Sequence, residues 1–500
     1  MLVEKGDINA GASGANHGLL HSGGRYVGGD PAVAKECRDE AQRLKRLAPH
    51  CIEKTGGFFV AVEGDDETYV ADFPRACARA TIPVREWDLK EALEAEPALS
   101  GRLMAAYEVE DATLDPFMLS LDNMAEALRL GAGFLRYTRV TGFRKNGGRI
   151  RAVHLCHTLT GETSQVEVAQ VVNAAGSWAG EVAALAGIHI PLLFSKGTLV
   201  VTDSRLTHRV VNRLRPPGNG DILVPGGTVS ILGTTSVRID TLDQVYPTIE
   251  EVDLMVEEGA AMIPMLEGAR YIRAYAGVRP LIRQESGGDD RSVSRGFALL
   301  DHTKEGFENF ATIPGGKLTT YRLMAEKTAD LVCDRLGVSA PCQTRTRPLP
   351  ASLSGRWTEP GLGPRLWLKQ ETGDDPLLCE CEMISKSMID HVIDAIRTQK
   401  ATPSLRAISL RSRMGKGPCQ GTFCGRRVLA HLYEQGHFEG DEGLDLLRDF
   451  FQERWKGERP ILWGGQLIQA ELKEALYEGL LGLNAQGAPQ EGKKGQDACG

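Results

Sequence analysis

Five hundred residues exceed one ordinary core, and at about 100–200 residues per domain the chain predicts two to four domains. Its 58 Lys and Arg against 66 Asp and Glu leave a net charge of −8, which argues against nucleic-acid binding through an overall basic field. With 25% charged and 42% hydrophobic residues the composition is globular, neither disordered nor fibrous. Glycine, at 57 residues, exceeds the usual share of about 7% and points to tight turns and close approach of backbone to a ligand. No apolar run reaches the ~18 residues of a membrane helix, since the longest, 182–194, is broken by His189 and Pro191. No secretory signal is evident. The expectation is a soluble chain that reaches a membrane only through a partner.

In chain order, MLVEKGD (1–7) reads as the last part of a strand, followed by a glycine-rich loop over 7–14. A helix is expected over 31–49, opened by Asp30-Pro31. Residues 139–155 form a hairpin turning at Asn146-Gly147-Gly148. VVNAAG (171–176) has the pattern of a buried parallel strand that ends against a ligand. A second hairpin spans 222–236 with its turn at Gly226-Gly227. Residues 313–337 read as a strand end, the pair Gly315-Gly316, and a helix carrying Leu323, Met324, Leu331, Val332 and Leu336, closed by Gly337. Parallel-type strands mixed with hairpins predict an α/β domain interleaved with an antiparallel α+β one over 1–340. Residues 341–376 hold six prolines and read as a linker. A cysteine-rich segment (377–430), a helical tail (431–485) and a disordered end (486–500) complete the chain.

Eleven cysteines make an odd count for a disulfide scaffold. Four of them, Cys379, Cys381, Cys419 and Cys424, form a C-x-C and a C-x-x-x-x-C pair separated by 37 residues. Four thiolates suit Zn²⁺ or a [2Fe–2S] cluster, with free thiols or disulfides as the plainer reading. Gly415, Gly417 and Gly421 would free backbone N–H groups for the sulfurs. Arg411, Arg413, Lys416, Arg426 and Arg427 would offset an anionic cluster.

Five segments taken together resemble the FAD-dependent glycerol-3-phosphate dehydrogenases of the D-amino-acid-oxidase-like flavoprotein superfamily. They are GASGANHGLLHSGGRY (11–26), VVNAAGSW (171–178), LVPGGTVSILGTTS (223–236), YAGVRPL (275–281) and PGGKLTTYRLMAE (314–326). The paired cysteines extend the resemblance to the anaerobic branch of that family, nearly to the end of the chain at ERWKGERPILWG (453–464). It implies a Rossmann-like FAD domain interleaved with a substrate domain, and a small C-terminal [2Fe–2S] domain. The family opens with a strand, a G-x-G-x-x-G turn and a helix, which are missing here. The expectation is an N-terminally truncated chain that starts in the second strand and holds FAD weakly.

By resemblance, Glu4 meets the adenosine ribose, while Ser13, Gly14, Asn16 and His17 pass the flavin. Ala174, Ala175, Gly176 and Trp178 line the cofactor, as do Gly315, Gly316, Lys317, Leu318 and Thr319. Read from the residues alone, 11–14 and 171–176 could equally be ordinary tight turns. Arg25, Tyr26, Arg279, Arg295 and Lys317 match the substrate pocket, where guanidinium forks and a mobile ammonium suit a phosphate dianion. His21, Arg279 and Lys317 form the catalytic set, with His21 as base for the C2 hydroxyl. A structural hydrogen bond is the competing role for His21. In aerobic relatives a histidine follows the pair matching Lys196-Gly197, where this chain has Thr198.

The implied reaction is oxidation of sn-glycerol-3-phosphate to dihydroxyacetone phosphate. Electrons would leave through the cluster toward a membrane quinone, by way of membrane-associated partner subunits. The implied place is cytoplasmic, peripheral at the inner face of the cell membrane. An amine or amino-acid dehydrogenase on the same fold, and a non-catalytic truncated remnant, are the competing classes.

Overall fold

The computed structural model describes residues 1–243, 245–282, 296–350, 368–369, 373–399 and 401–483. Arg295, most of the expected 341–376 linker and the 486–500 tail therefore lie outside the described residues. The α/β architecture interleaved with an antiparallel one is borne out.

Two short parallel pieces stand outside the large sheet. Leu2–Val3 pairs with Phe134–Leu135, and Val171–Asn173 pairs with Phe310–Thr312. These two pieces are not hydrogen-bonded to one another, yet both line the same cavity. Around them lie the long helices expected from sequence. Pro31–Leu47 is capped by the Asp30 carboxylate, which accepts the Val33 N–H at 3.1 Å, and it carries proline at its first position. Tyr321–Leu336 ends at Gly337, whose φ of 67° is the left-handed conformation glycine adopts without cost. The two helices are joined by a buried fork: Arg322 Nε and Nη2 each donate to Glu40 at 2.7 Å. Glu40 is fully buried.

The second layer is a mixed nine-stranded sheet. Its long central pair is Leu192–Thr202 against Tyr271–Ile282, antiparallel over nearly their whole length. Gly57–Val62 enters by a parallel pairing with Val210–Arg213. Helix Ile249–Ala260 covers one face, setting Val252 and Met255 against Val200, Leu223 and Leu232. Two hairpins complete the layers. Thr138–Asn146 and Arg149–His157 turn through Gly147 and Gly148, both at positive φ, which suits the right-handed twist of the flanking strands. The other, Ile222–Gly226 with Val229–Gly233, turns at Gly227-Thr228, one residue later than expected, because Gly226 is still paired with Val229.

The C-terminal region is helical: Lys386–Thr398, Leu405–Arg411, Cys424–Glu434, Glu442–Glu458 and Gly465–Leu481. One core joins Ile389, Ile393, Ile408, Val428, Leu447 and Phe450 around Cys379 and Cys424. Ile461 returns to the core of the large sheet.

Removing one partner of a buried ion pair leaves an uncompensated charge, at a cost of about 3–5 kcal/mol. We expect Arg322→Met to lower stability by that order. A urea midpoint within error of the unaltered protein would show that the fork does not tie the two helices.

Candidate active site and cysteine centre

A cavity of about 1750 Å³ runs from Leu2–Val3 past the 11–17 loop to Lys317. That is larger than the ~300–1,000 Å³ typical of drug-sized ligands, and it suits an extended one. Its floor is the Leu192–Thr202 and Tyr271–Ile282 pair, in which Gly197 stands directly opposite Gly277. This rung carries no side chains on either strand. A Cβ at Gly277 would lie 2.4 Å from the Ala15 carbonyl, and one at Gly197 would lie 2.4–2.7 Å from the Arg279 guanidinium. Both glycines are needed for the loop and the arginine to come down onto the sheet.

Arg279 donates to the Thr235 carbonyl at 3.2 Å and to the Thr234 hydroxyl. Lys317 follows Gly315 and Gly316, at φ 81° and 77°, and sets its Nζ 4.5 Å from the Tyr26 ring centre. His21 lies beside the same tyrosine, with its Nε2 at 3.5 Å from the Tyr26 hydroxyl, and its backbone N–H is held by Thr319 Oγ1. Burial, reinforced by His17, Lys317 and Arg25, pushes the His21 imidazole well below its ordinary value, so it is neutral. Burial, with Arg279 and Arg25, pushes His17 down to about 3. His17 Nδ1 accepts the Leu19 N–H at 3.2 Å, which leaves the ring proton on Nε2 and makes this ring a donor.

The structure thus sets His21, Tyr26 and Lys317 side by side, and Arg279, near enough to depress His17, lines the same cavity. Arg25 is there too, but differently engaged. Its Nη2 donates to Asp221 at 2.7 Å, and Asp221 is also held by Arg215 and the Gly218 N–H. Arg25 and Arg215 together keep that carboxyl below the usual range despite its burial. The Arg25 charge is therefore matched inside the protein. Thr198 turns its hydroxyl to Glu251 at 3.1 Å, while its neighbours Gly197 and Leu199 line the cavity.

Along the rest of the cavity, Ser13 lines the wall and Gly14 is packed under the Asn9 carbonyl. Asn16 closes its own loop, donating to Ala12 and Ser13 carbonyls and accepting the Gly18 N–H. Ala174, Ala175 and Gly176 border it, and Trp178 carries Lys5 over its ring at 3.6 Å. Leu318 and Thr319 sit at the first turn after the glycine pair. Glu4 accepts the Gly6 N–H at 2.8 Å. An FAD-sized group fits this wall in one specific respect: Cβ atoms at Gly11 and Gly176 would meet nothing, so bare backbone faces open cavity there. Asn9 Oδ1, buried on the same wall, has no hydrogen-bond partner among the described residues.

Sequence reasoning missed Asp221, Thr234 and Thr235. An acid that opens an apolar strand and threonines at a strand end are too common to single out; the partners they meet come from distant segments.

The four cysteines meet in space. Cys379 and Cys381 sulfurs lie 3.8 Å apart, and Cys381 and Cys419 3.6 Å. Cys419 accepts hydrogen bonds from Cys381, Cys424 and the N–H groups of Phe423 and Gly421, which hold its thiol down, while the same sharing and burial hold the other three thiols up. The basic residues around them do not act as expected. Arg411 pairs with Asp7, Arg413 with Glu382 and Asp115, and Arg427 with Glu380, so most of that charge is already matched.

Residues 1–331 match the FAD dependent oxidoreductase family, the class that this two-layer fold and glycine-walled cavity define. Over 97% of its length the chain is 40% identical to the A subunit of the anaerobic glycerol-3-phosphate dehydrogenase of Escherichia coli K12, covering 92% of that protein. It is 37% identical to the corresponding A1 subunit of Haloferax volcanii, over 95% of this chain and 85% of that one. The fold also matches that of a glycerol-3-phosphate dehydrogenase from Bacillus halodurans solved with FAD (TM-score 0.63, 21% identity, 93% of this chain and 91% of that one). The chain belongs to the FAD dependent oxidoreductases, in the family of the anaerobic glycerol-3-phosphate dehydrogenase A subunits.

His17 also gives a pH signature. The folded protein, with His17 near 3, binds fewer protons than the unfolded chain, near 6.5, at pH values between the two. Stability therefore falls as pH drops from 6.5 toward 3, by about 1.4 kcal/mol per unit at full slope. Melting curves of His17→Asn should show a shallower loss between pH 6.5 and 4 than the unaltered protein; parallel losses would place the histidine elsewhere.

Proposed function

We propose that this protein oxidises the C2 hydroxyl of sn-glycerol-3-phosphate to give dihydroxyacetone phosphate, with FAD as its cofactor. The observation that carries the reading is that Arg279, Lys317 and neutral His21 line a single cavity, with Lys317 and His21 on the same tyrosine. The names of the relatives support the substrate. FAD would be held by the 11–17 loop, the 174–178 wall and the Gly315–Gly316 turn, and when bound it supplies the acceptor for the C2 hydride. Arg279 offers a planar fork to the phosphate, and Lys317 adds a mobile point charge. Arg25 acts less as a ligand than as a support for the loop that carries His21 and Tyr26, because Asp221 already holds it. His21 takes the hydroxyl proton at a ring nitrogen. Burial is the main cause that depresses this imidazole, with His17 next, and the incoming dianion would offset the smaller Lys317 and Arg25 fields.

The four cysteines are read as a [2Fe–2S] centre that takes electrons onward. Membrane-associated partner subunits would carry them to a quinone, with the enzyme peripheral at the inner face of the membrane. That the relatives are named as single subunits of an enzyme supports partners. None of the described helices is long and apolar enough to cross a membrane. A single zinc ion is the second reading for the cysteines, and one observation favours it. Sulfur separations of 3.6 and 3.8 Å are close to the edge of a tetrahedron with metal–sulfur bonds of 2.3 Å, about 3.8 Å.

Losing a charge-assisted contact of about 1.5–3 kcal/mol should raise the glycerol-3-phosphate KM at least tenfold in Arg279→Ala. Gly197→Ala should move KM the same way with no change of charge, because its Cβ overlaps the guanidinium. Similar kcat/KM for glycerol and its phosphate in the unaltered protein would contradict the phosphate assignment. Metal analysis after anaerobic purification separates the two cysteine readings. Two irons per chain and an EPR signal on reduction are expected; one zinc and no iron would make the centre structural.

A further inference from the structure

The loop that opens the flavin cavity is gripped from the cysteine domain. Asp7, at the start of the loop, is buried, and Arg411 holds its carboxylate with two hydrogen bonds of 2.7 and 2.8 Å. Arg136 adds a third at 3.1 Å. Arg411 is itself fixed at the end of helix Leu405–Arg411 by the Ala407 carbonyl and Gln399. Two residues on from Asp7, Asn9 adopts φ 61°, and its amide nitrogen reaches both the Leu410 and Phe117 carbonyls at 3.4 Å.

A second grip runs through Phe117. Its ring backs Gly14, where a Cβ would lie 3.2 Å from the ring edge. The ring's face carries Lys416 Nζ, 3.3 Å from its centre. Lys416 is locked in turn by the Ser409 and Ser412 carbonyls. The next residue, Gly417, is pressed against the second cysteine, since a Cβ there would lie 2.8 Å from Cys381 Sγ. A continuous run of contacts thus leads from the cysteine sulfurs through Gly417, Lys416 and Phe117 to Gly14, and a parallel one leads from Arg411 to Asp7.

We propose that Arg411 and Lys416 are positioning residues for the 7–14 loop, so that filling the cysteine centre and filling the flavin cavity are thermodynamically coupled. A metal bound by the four thiolates fixes the 415–421 segment, hence Lys416 and Phe117, and so preforms the wall on which the cofactor lies. Coupling of this kind is reciprocal and is typically worth a factor of about 5–150. The proposal rests on FAD occupying this cavity and a metal occupying the cysteines, as read above, but not on which metal it is.

The test uses the full chain, reconstituted with iron and sulfide or stripped by chelation, and titrated with FAD. Stripping should weaken FAD binding roughly tenfold and speed amide hydrogen exchange in 7–14, with strand Gly57–Val62 unchanged. Saturating FAD should strengthen iron retention against a chelator by the same factor. Arg411→Met should reproduce the loop and FAD effects with its iron content intact, and Arg411→Lys should recover part of the affinity. Phe117→Leu, which removes the ring face without altering charge, provides a second route if the arginine variant does not fold. Unchanged loop exchange and FAD affinity in stripped protein and in both variants would overturn the coupling. A chain that takes up no iron would instead sink the cluster reading, and the Arg411 and Phe117 variants would still decide whether the loop is positioned from this domain.

Discussion

The site depends on one rung of one sheet. Gly197 and Gly277 face each other across the Leu192–Thr202 and Tyr271–Ile282 pair, and the absence of two Cβ atoms makes a hollow in an otherwise filled surface. Into that hollow come the Ala15 carbonyl from the N-terminal loop and the Arg279 guanidinium from two residues along the same strand. Side chains at this rung would lift the loop and turn the arginine away together. The 11–17 loop and the Arg279 guanidinium are thus set by the same local constraint.

Around this rung the protein separates cations that hold the fold from cations that face the cavity. Arg25 and Arg215 share the Asp221 carboxylate, Arg213 reaches Asp65, and Arg322 forks onto Glu40. Each is largely shielded from solvent, and each has its charge answered by a carboxylate, as burial demands. Arg279 bonds a carbonyl and a hydroxyl across the strands, and Lys317 lies over an aromatic ring. These contacts orient both cations along the cavity wall. The two histidines feel the result: burial, reinforced by nearby positive charge, keeps both neutral.

The same logic applies to the cysteine domain. Basic residues that sequence alone assigned to an anionic centre are turned to Asp7, Asp115, Glu382 and Glu380. Arg411 and Arg413 reach outside the segment, to Asp7 and Asp115, while Arg427 stays within it on Glu380. Arg413 reaches both Glu382 beside the cysteines and Asp115 at the head of helix Pro116–Arg129, and further along the chain Trp463 packs on Tyr271 of the large sheet.

By itself the sequence determined the elements and the kind of chemistry. Asp30-Pro31, Gly147-Gly148 and Gly337 marked a helix start, a turn and a helix end because capping and positive φ are local requirements, legible within a few residues. The glycine-rich segments and the two cysteine pairs stood out for the same reason, and the resemblance they carry is upheld at the level of family. One hairpin turn was misplaced by a residue, since pairing across the strands, not glycine content, fixes where a turn begins. Only the tertiary structure decided which charges the fold itself consumes. Arg25 and Arg279 look alike along the chain, and so do Arg411 and Arg426. What sets Arg25 and Arg411 apart is a carboxylate 196 residues away for the first, and one 404 residues away for the second. Ion pairs between such distant segments leave no periodic trace in a sequence, because they depend on where two surfaces meet after folding.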